Sequence, residues 1–87
     1  MPETTIIVQH SQGLHARPAS KFVTEAQKYD ADISVKNGTR SANAKSMLGI
    51  LTLDVNKGTE ITIHAEGEDA GEAISALEQL IMRNFED

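Results

Sequence analysis

Cysteine and tryptophan are absent from the sequence, and its aromatic residues are two phenylalanines and one tyrosine. Without cysteine the chain has neither a disulfide framework nor a thiolate metal site, so packing alone must hold it together, as in intracellular proteins. The scarcity of aromatic side chains predicts a small, aliphatic core. We expect one domain, residues 1–87, because a second core could not be built from a chain of this length.

Basic residues are few, with 8 Lys and Arg against 13 Asp and Glu and a net charge of −5. A nucleic-acid binder depends on Lys and Arg that neutralise phosphates, so we expect no direct binding of nucleic acid. The sequence also lacks any apolar run long enough to span a bilayer, and no basic region followed by an apolar run opens the chain. We therefore expect no membrane insertion and a cytoplasmic location.

The spacing of apolar residues predicts seven elements of secondary structure. Runs of β-branched or alternating residues indicate strands, and apolar residues at i, i+3, i+4 and i+7 indicate helices with one buried face. Asn37-Gly38 is a strong hairpin signal between two of the strands. We expect strands at residues 4–9, 32–36, 39–43 and 60–65, and helices at residues 16–28, 46–53 and 69–83.

Two of these helices rest on capping signals. The short apolar segment 46–53 is compatible with a buried strand, but Ser46 is a good N-cap and favours a short helix. For the last helix, Asp69 followed by Glu72 predicts a start that resembles a capping box. The alternating strands suit a sheet with one wet face, and the helical stripes need a common apolar surface. The predicted fold is an α/β two-layer open-faced sandwich, a four-stranded antiparallel sheet with three helices on one face, in the order βαββαβα.

The chemically informative segment is residues 13–19, where His15 stands at the entry to a helix and Arg17 follows it. A helix N-terminus offers unpaired amides and the positive end of a dipole, and both favour an anion. The same field favours the neutral, nucleophilic imidazole, and an arginine can hold phosphoryl oxygens. These features fit a phosphoryl group on His15. The plainer alternative is a histidine that merely caps the helix or lies on the surface.

Other catalytic constellations are missing from the sequence, which has no glycine-rich nucleotide loop, no paired acid and base, and no cluster of metal ligands. We expect no cofactor and no metal. A chain without a nucleotide site cannot phosphorylate itself from ATP. If His15 carries a phosphoryl group, a partner supplies it and another receives it.

The motif Gly-Leu-His-Ala-Arg-Pro-Ala at residues 13–19 resembles the active-site signature of the HPr family, the histidine-containing phosphocarriers of the bacterial sugar phosphotransferase system. A second motif, Asn-Ala-Lys-Ser-Met-Leu-Gly-Ile at residues 43–50, resembles the regulatory serine motif of that family. The resemblance covers essentially the whole chain. It implies a phosphoryl carrier rather than an enzyme.

The resemblance assigns roles to residues of the first motif. His15 would take the phosphoryl group on Nδ1 from phosphorylated enzyme I and pass it to the IIA domains of sugar permeases. Arg17, with Ala16, would contact the phosphate, and Pro18 would stand at the helix start. A nitrogen-branch phosphocarrier, which uses the same histidine with different partners, is the alternative within this fold. A binding module without catalytic chemistry, with His15 as an incidental cap, is the alternative from another class.

The second motif implies regulation and docking. Ser46 corresponds to the regulatory phosphorylation site, which brings HPr kinase/phosphorylase and a catabolite-control transcription regulator into consideration as partners; its alternative is an ordinary N-cap. Met47, Leu48 and Leu51 resemble the apolar patch that docks on enzyme I, and the alternative is that these residues are buried in the core. Of the three, Leu48 and Leu51 are assigned to the partner surface. The expected partner-binding residues are Ser20, Lys21, Thr24, Met47, Leu48 and Leu51. One docking face suggests a monomer. His10 and His64 match no motif, and His64 is expected on the wet face of the sheet.

Overall fold

The computed structural model describes residues 3–11 and 13–85 of the chain. Its elements follow the predicted order βαββαβα, although their bounds differ by a few residues from those predicted. They are β1 (Glu3–Ile7), α1 (Ala16–Ala26), β2 (Asp32–Asn37), β3 (Arg40–Asn43), α2 (Met47–Thr52), β4 (Glu60–Glu66) and α3 (Ala70–Met82). Within the described residues no helix is both long and apolar enough to cross a membrane.

The four strands form one antiparallel sheet in the order β1-β4-β2-β3. The predicted hairpin between β2 and β3 is confirmed, with Asn37 paired to Arg40. The connecting residues are therefore Gly38 and Thr39, one position later than the Asn-Gly signal indicated. Gly38 has a φ of 63°, a left-handed conformation that glycine adopts without steric cost.

The core lies between the sheet and the helices. Along β4, Ile61, Ile63 and Ala65 are buried, whereas the residues between them belong to the open face. The predicted helical stripes are buried as expected: Ala19, Phe22, Val23 and Ala26 in α1, and Ala73, Ile74, Leu77, Leu80 and Ile81 in α3. These patterns confirm a four-stranded open sheet with three helices.

The prediction that Asp69 caps α3 through its side chain is wrong. Asp69 occupies the N-cap position but makes no capping hydrogen bond from its side chain. Its carboxylate oxygens instead accept from the backbone N–H groups of Asp30 and Ala31, each at 2.9 Å. The carboxylate serves these amides because the segment between α1 and β2 passes beside the start of α3. Asp69 thus joins two segments distant in the sequence.

Candidate functional site

His15 is the N-cap residue of α1, with φ −110° and ψ 154°, and its side chain makes no capping hydrogen bond. Two backbone bonds hold the preceding loop, from Gly13 N to His10 O and from Leu14 N to Val55 O, both 2.9 Å. Leu14 itself is fully buried. The half-exposed histidine therefore projects, at the point where α1 begins, from a loop that is tied to the segment of Val55.

Ala16 follows the histidine with a φ of 42°. A residue with a side chain pays roughly 1–2 kcal/mol for a left-handed backbone. The contacts around the loop must hold this conformation in place. Pro18, two residues into the helix, is buried and lacks the amide that would have had no intrahelical partner.

The His15 ring is oriented by one hydrogen bond, because Nε2 lies 2.9 Å from Oδ1 of Asn56. The carboxamide of Asn56 is itself oriented, since its Nδ2 donates to the backbone oxygen of Asp54 at 3.1 Å. A carbonyl oxygen only accepts, so Nε2 must carry the proton. In the neutral ring the lone pair then lies on Nδ1, for which no hydrogen bond to any described residue is found.

Beside the start of α1 lies a groove lined by Gln9, His10, Ser11, Arg17, Pro18, Lys21, Asn84 and Phe85. Lys21 Nζ donates to the backbone oxygen of Phe85 at 2.7 Å, and the His10 ring meets the Phe85 ring edge-on at 5.6 Å. The first turn of α1 contains no acidic residue. Two cationic side chains and a helix N-terminus make this end of the molecule favourable for an anion.

Arg17 and His15 are close in sequence at the start of α1, but their side chains do not share a hydrogen bond in the part of the chain that is described. His15 is also not among the described residues that line the groove. Arg17 is exposed near the start of the helix. A shared anionic ligand is what could engage both groups, because each lies at the N-terminal end of α1.

Arg17 also begins an exposed stripe along α1. Ser20 and Thr24 follow it at i+3 and i+7, and both are exposed. Residues with these spacings lie on one side of a helix. Lys21 is half-buried next to the stripe. The α1 residues predicted to bind partners thus form one continuous surface that starts beside His15.

Ser46 is the N-cap of α2, as predicted, and its Oγ accepts from the backbone N–H of Gly49 at 3.0 Å. The turn before it is tied to the residues that follow α1: Gln27 Nε2 donates to Lys45 O at 3.1 Å, and Lys45 Nζ donates to Tyr29 O at 2.6 Å. Burial, together with the neighbouring Glu25 carboxylate, raises the pKa of Tyr29 above its usual value. Ser46 itself is half-buried, and the hydrogen bonds of Lys45 fix the turn that precedes it.

The apolar residues of α2 divide between surface and core. The exposed fraction is 73% for Leu48 and 37% for Leu51, whereas Ile50 is fully buried. Met47 is partly buried and packs against the core, so only part of its side chain is accessible. α1 and α2 are in contact, so the two exposed leucines belong to a helix that packs against α1.

His64 lies on the open face of the sheet, as expected, and contacts two carboxylates. Its Nδ1 is 3.6 Å from Glu3 and its Nε2 is 3.2 Å from Glu66. Asn56, by contrast, was not singled out by sequence reasoning. Only the approach of two loops 41 residues apart gives it a role beside His15.

Comparisons with known proteins agree with this geometry. Residues 2–83 match the family model described as PTS HPr component phosphorylation site. The phosphocarrier protein HPr of Vibrio cholerae serotype O1 is 46% identical over 81 residues, which cover 93% of this chain and 95% of that protein. A crystal structure of HPr-C-His from Thermoanaerobacter tengcongensis has a TM-score of 0.97 at 44% identity, covering 100% of this chain and 99% of that one. A crystal structure of an HPr dimer from the same organism has a TM-score of 0.80 at 44% identity and covers both chains completely.

The open sheet with three helices and the histidine at the entry to α1, together with the family match over nearly the whole chain, define a phosphocarrier protein. The chain belongs to the HPr family, the phosphocarrier proteins of the phosphotransferase system. Phosphohistidine chemistry and sugar transport follow from that membership.

Proposed function

We propose that this chain accepts a phosphoryl group on Nδ1 of His15 from phosphorylated enzyme I and passes it to the IIA domains of sugar permeases. The observation that carries this proposal is the ring geometry: Nε2 is committed to Asn56, so Nδ1 holds the lone pair. We further propose that residues 1–87 act as one monomeric domain in the cytoplasm.

Both transfer steps balance without a cofactor. In the first, the Nδ1 lone pair forms the nitrogen–phosphorus bond while the bond from phosphorus to the donor breaks, and that electron pair stays with the donor. No proton has to leave Nδ1, because the ring proton is on Nε2. In the second step a nucleophile of the IIA domain attacks phosphorus, and the nitrogen–phosphorus pair returns to Nδ1.

Charge stabilisation comes from the start of α1. We assign the guanidinium of Arg17, with the backbone at Ala16, to the phosphoryl oxygens, because a fixed cation and a helix N-terminus both stabilise an anion there. Pro18 keeps this first turn compact. The exposure of Arg17 leaves it accessible to a phosphoryl group that arrives on a partner.

The surface around His15 suits transient docking. Leu48 and Leu51 supply exposed apolar area, Met47 supports them from the core side, and α1 adds Ser20, Lys21 and Thr24. An apolar centre with a polar and basic rim is the usual composition of such a contact. We assign this surface to enzyme I and to the IIA domains in turn.

Ser46 is the proposed regulatory site, for HPr kinase/phosphorylase, with a catabolite-control transcription regulator as a partner of the phosphorylated form. A phosphate at this N-cap would favour the helix, but it would place a dianion beside the apolar docking surface. Regulation would therefore act on docking and leave the fold intact.

Incubation with enzyme I and phosphoenolpyruvate tests the function. We expect intact-mass measurement to find one added phosphoryl group, acid-labile and alkali-stable, that His15→Ala abolishes. His10→Ala and His64→Ala are the matched controls and should retain it. A phosphoryl group that persists in His15→Ala, or that disappears in either control, contradicts the assignment.

A further inference from the structure

We propose that Asn56 is a positioning residue for phosphoryl transfer, because it holds His15 in the tautomer whose Nδ1 carries the lone pair. This inference rests on the proposed role of His15 and adds the group that selects its reactive nitrogen. The two side chains come from loops 41 residues apart.

The direction of the His15–Asn56 bond follows from its partners. Asn56 Nδ2 donates to the backbone oxygen of Asp54 at 3.1 Å and lies 3.5 Å from Oδ1 of the Asp54 carboxylate. These acceptors turn Oδ1 towards the histidine at 2.9 Å. If the ring proton moved to Nδ1, the lone pairs of Nε2 and Oδ1 would face each other. Asn56 therefore disfavours the tautomer that could not attack phosphorus through Nδ1.

The loop that carries Asn56 is fixed against the loop that carries His15. Asn56 N donates to Thr59 Oγ1 at 3.1 Å, and Leu14 N donates to Val55 O at 2.9 Å. Gly13 lies against Val55 and Asn56 so closely that a side chain there has no space. The backbone at Asn56 is thus fixed against the loop that carries His15, which presents the Asn56 carboxamide to the ring.

The hydrogen bond is compatible with both states of the carrier. Phosphorylation on Nδ1 leaves the proton on Nε2, which continues to donate to Oδ1. The ring then keeps one orientation while it receives the phosphoryl group and while it releases it. A positioning residue of this kind acts on the rate of both steps, because proper alignment of the reacting atoms lowers the barrier to transfer.

The test compares the wild type with Asn56→Ala and with Lys57→Ala, a matched control at an exposed position in the same turn. The first readout is the tautomer of His15 in the unphosphorylated protein, read from its ring 15N chemical shifts. We expect the Nε2–H form in the wild type and in Lys57→Ala, and a population of the Nδ1–H form that rises by about three- to tenfold in Asn56→Ala, the effect of one net hydrogen bond. The second readout is transfer from enzyme I, where kcat should fall by a similar factor and KM should stay level.

A charge-conserving exchange separates positioning from structure. In the double variant Asp54→Asn with Asn56→Asp, a carboxylate accepts from Nε2–H, so the tautomer should be retained. The carboxylate also favours the protonated ring, so the acid limb of the pH–rate profile should move to higher pH. An unchanged profile, together with an unchanged tautomer in Asn56→Ala, overturns the proposal.

Failure of the proposal and failure of the proposed function have different signatures. If Asn56→Ala leaves the tautomer unchanged and loses rate only in step with melting temperature, Asn56 is a structural residue and the proposal is wrong. If the wild type takes no phosphoryl group on His15, the proposed function is wrong, whereas the tautomer measurement still decides whether Asn56 orients the ring.

Discussion

Gly13 and Val55 approach so closely that a Cβ atom on Gly13 would lie 2.1 Å from the backbone oxygen of Val55. Gly13 also has a φ of 58°, in the left-handed region. Two independent requirements, space and backbone conformation, thus restrict this position to glycine. Because Val55 precedes Asn56, the same contact sets the spacing between the loop of His15 and the loop that orients its ring.

Gly13→Ala should therefore destabilise the fold and impair the site. We expect a loss of at least about 2 kcal/mol in the free energy of unfolding, since backbone must move, and slower transfer from enzyme I. Gly38→Ala is the control, because its φ is 63° but nothing lies within 4 Å of the added carbon. Backbone conformation alone should cost about 1 kcal/mol there, with transfer unchanged. Denaturant unfolding of both variants checks this, and equal losses would contradict the role of the close approach.

Ala16→Gly should behave differently from other alanine-to-glycine changes in helices. The φ of 42° at Ala16 costs roughly 1–2 kcal/mol, and glycine would relieve it while adding some entropy to the unfolded chain. We expect the free energy of unfolding to stay level or to rise by up to about 1 kcal/mol. Ala73→Gly, in the buried face of α3, should instead lose about 1 kcal/mol or more. A loss in Ala16→Gly as large as in Ala73→Gly would show that the conformation is not strained.

Leu48→Ala tests the docking surface. Leu48 is 73% exposed, so its truncation should leave the melting temperature unchanged while the KM for this protein as a substrate of enzyme I rises about tenfold, equivalent to about 1.4 kcal/mol. Met82→Ala is the matched control, because Met82 is 71% exposed but belongs to α3. Initial-rate measurements over a range of concentrations decide between them. An equal rise in both KM values would remove the reason to assign docking to α2.

Ser46→Asp separates the cap from the docking surface. Aspartate is as good an N-cap as serine, and its charge suits a helix N-terminus, so the melting temperature should stay level or rise. Transfer from enzyme I should slow at least several-fold, because an anion at the rim of an apolar contact must be desolvated. Ser46→Ala should show the reverse: transfer is kept, while loss of the bond to Gly49 N costs about 1 kcal/mol. Unchanged transfer in Ser46→Asp would place Ser46 outside the docking surface.

The fold prediction depended on the spacing of apolar residues. The prediction that His15 stands at the entry to a helix depended on the residues next to it in the sequence. The alternation in β4 and the stripes of α1 and α3 are properties of neighbouring residues, so they could be read along the chain. Asp69 and Asn56 could not, because each bonds to a segment about 40 residues away. For Asp69 the local sequence predicted a capping hydrogen bond, but the carboxylate accepts from the backbone amides of Asp30 and Ala31 instead. For Asn56 no local rule exists, because its partner becomes visible only when two loops meet.

The place of β4 in the sheet also governs how the protein must assemble. β4 lies between β1 and β2, so β1 has no partner in the sheet until residues 60–66 have been synthesised. A growing chain can form the β2–β3 hairpin early, but its first strand stays unpaired until three quarters of the sequence is available. Such non-local pairing slows folding and leaves apolar strand edges open in the meantime. Fragments that end before β4 should therefore engage chaperones or aggregate, and the His15 loop, which is fastened to residue 55, cannot acquire its shape before that residue is available.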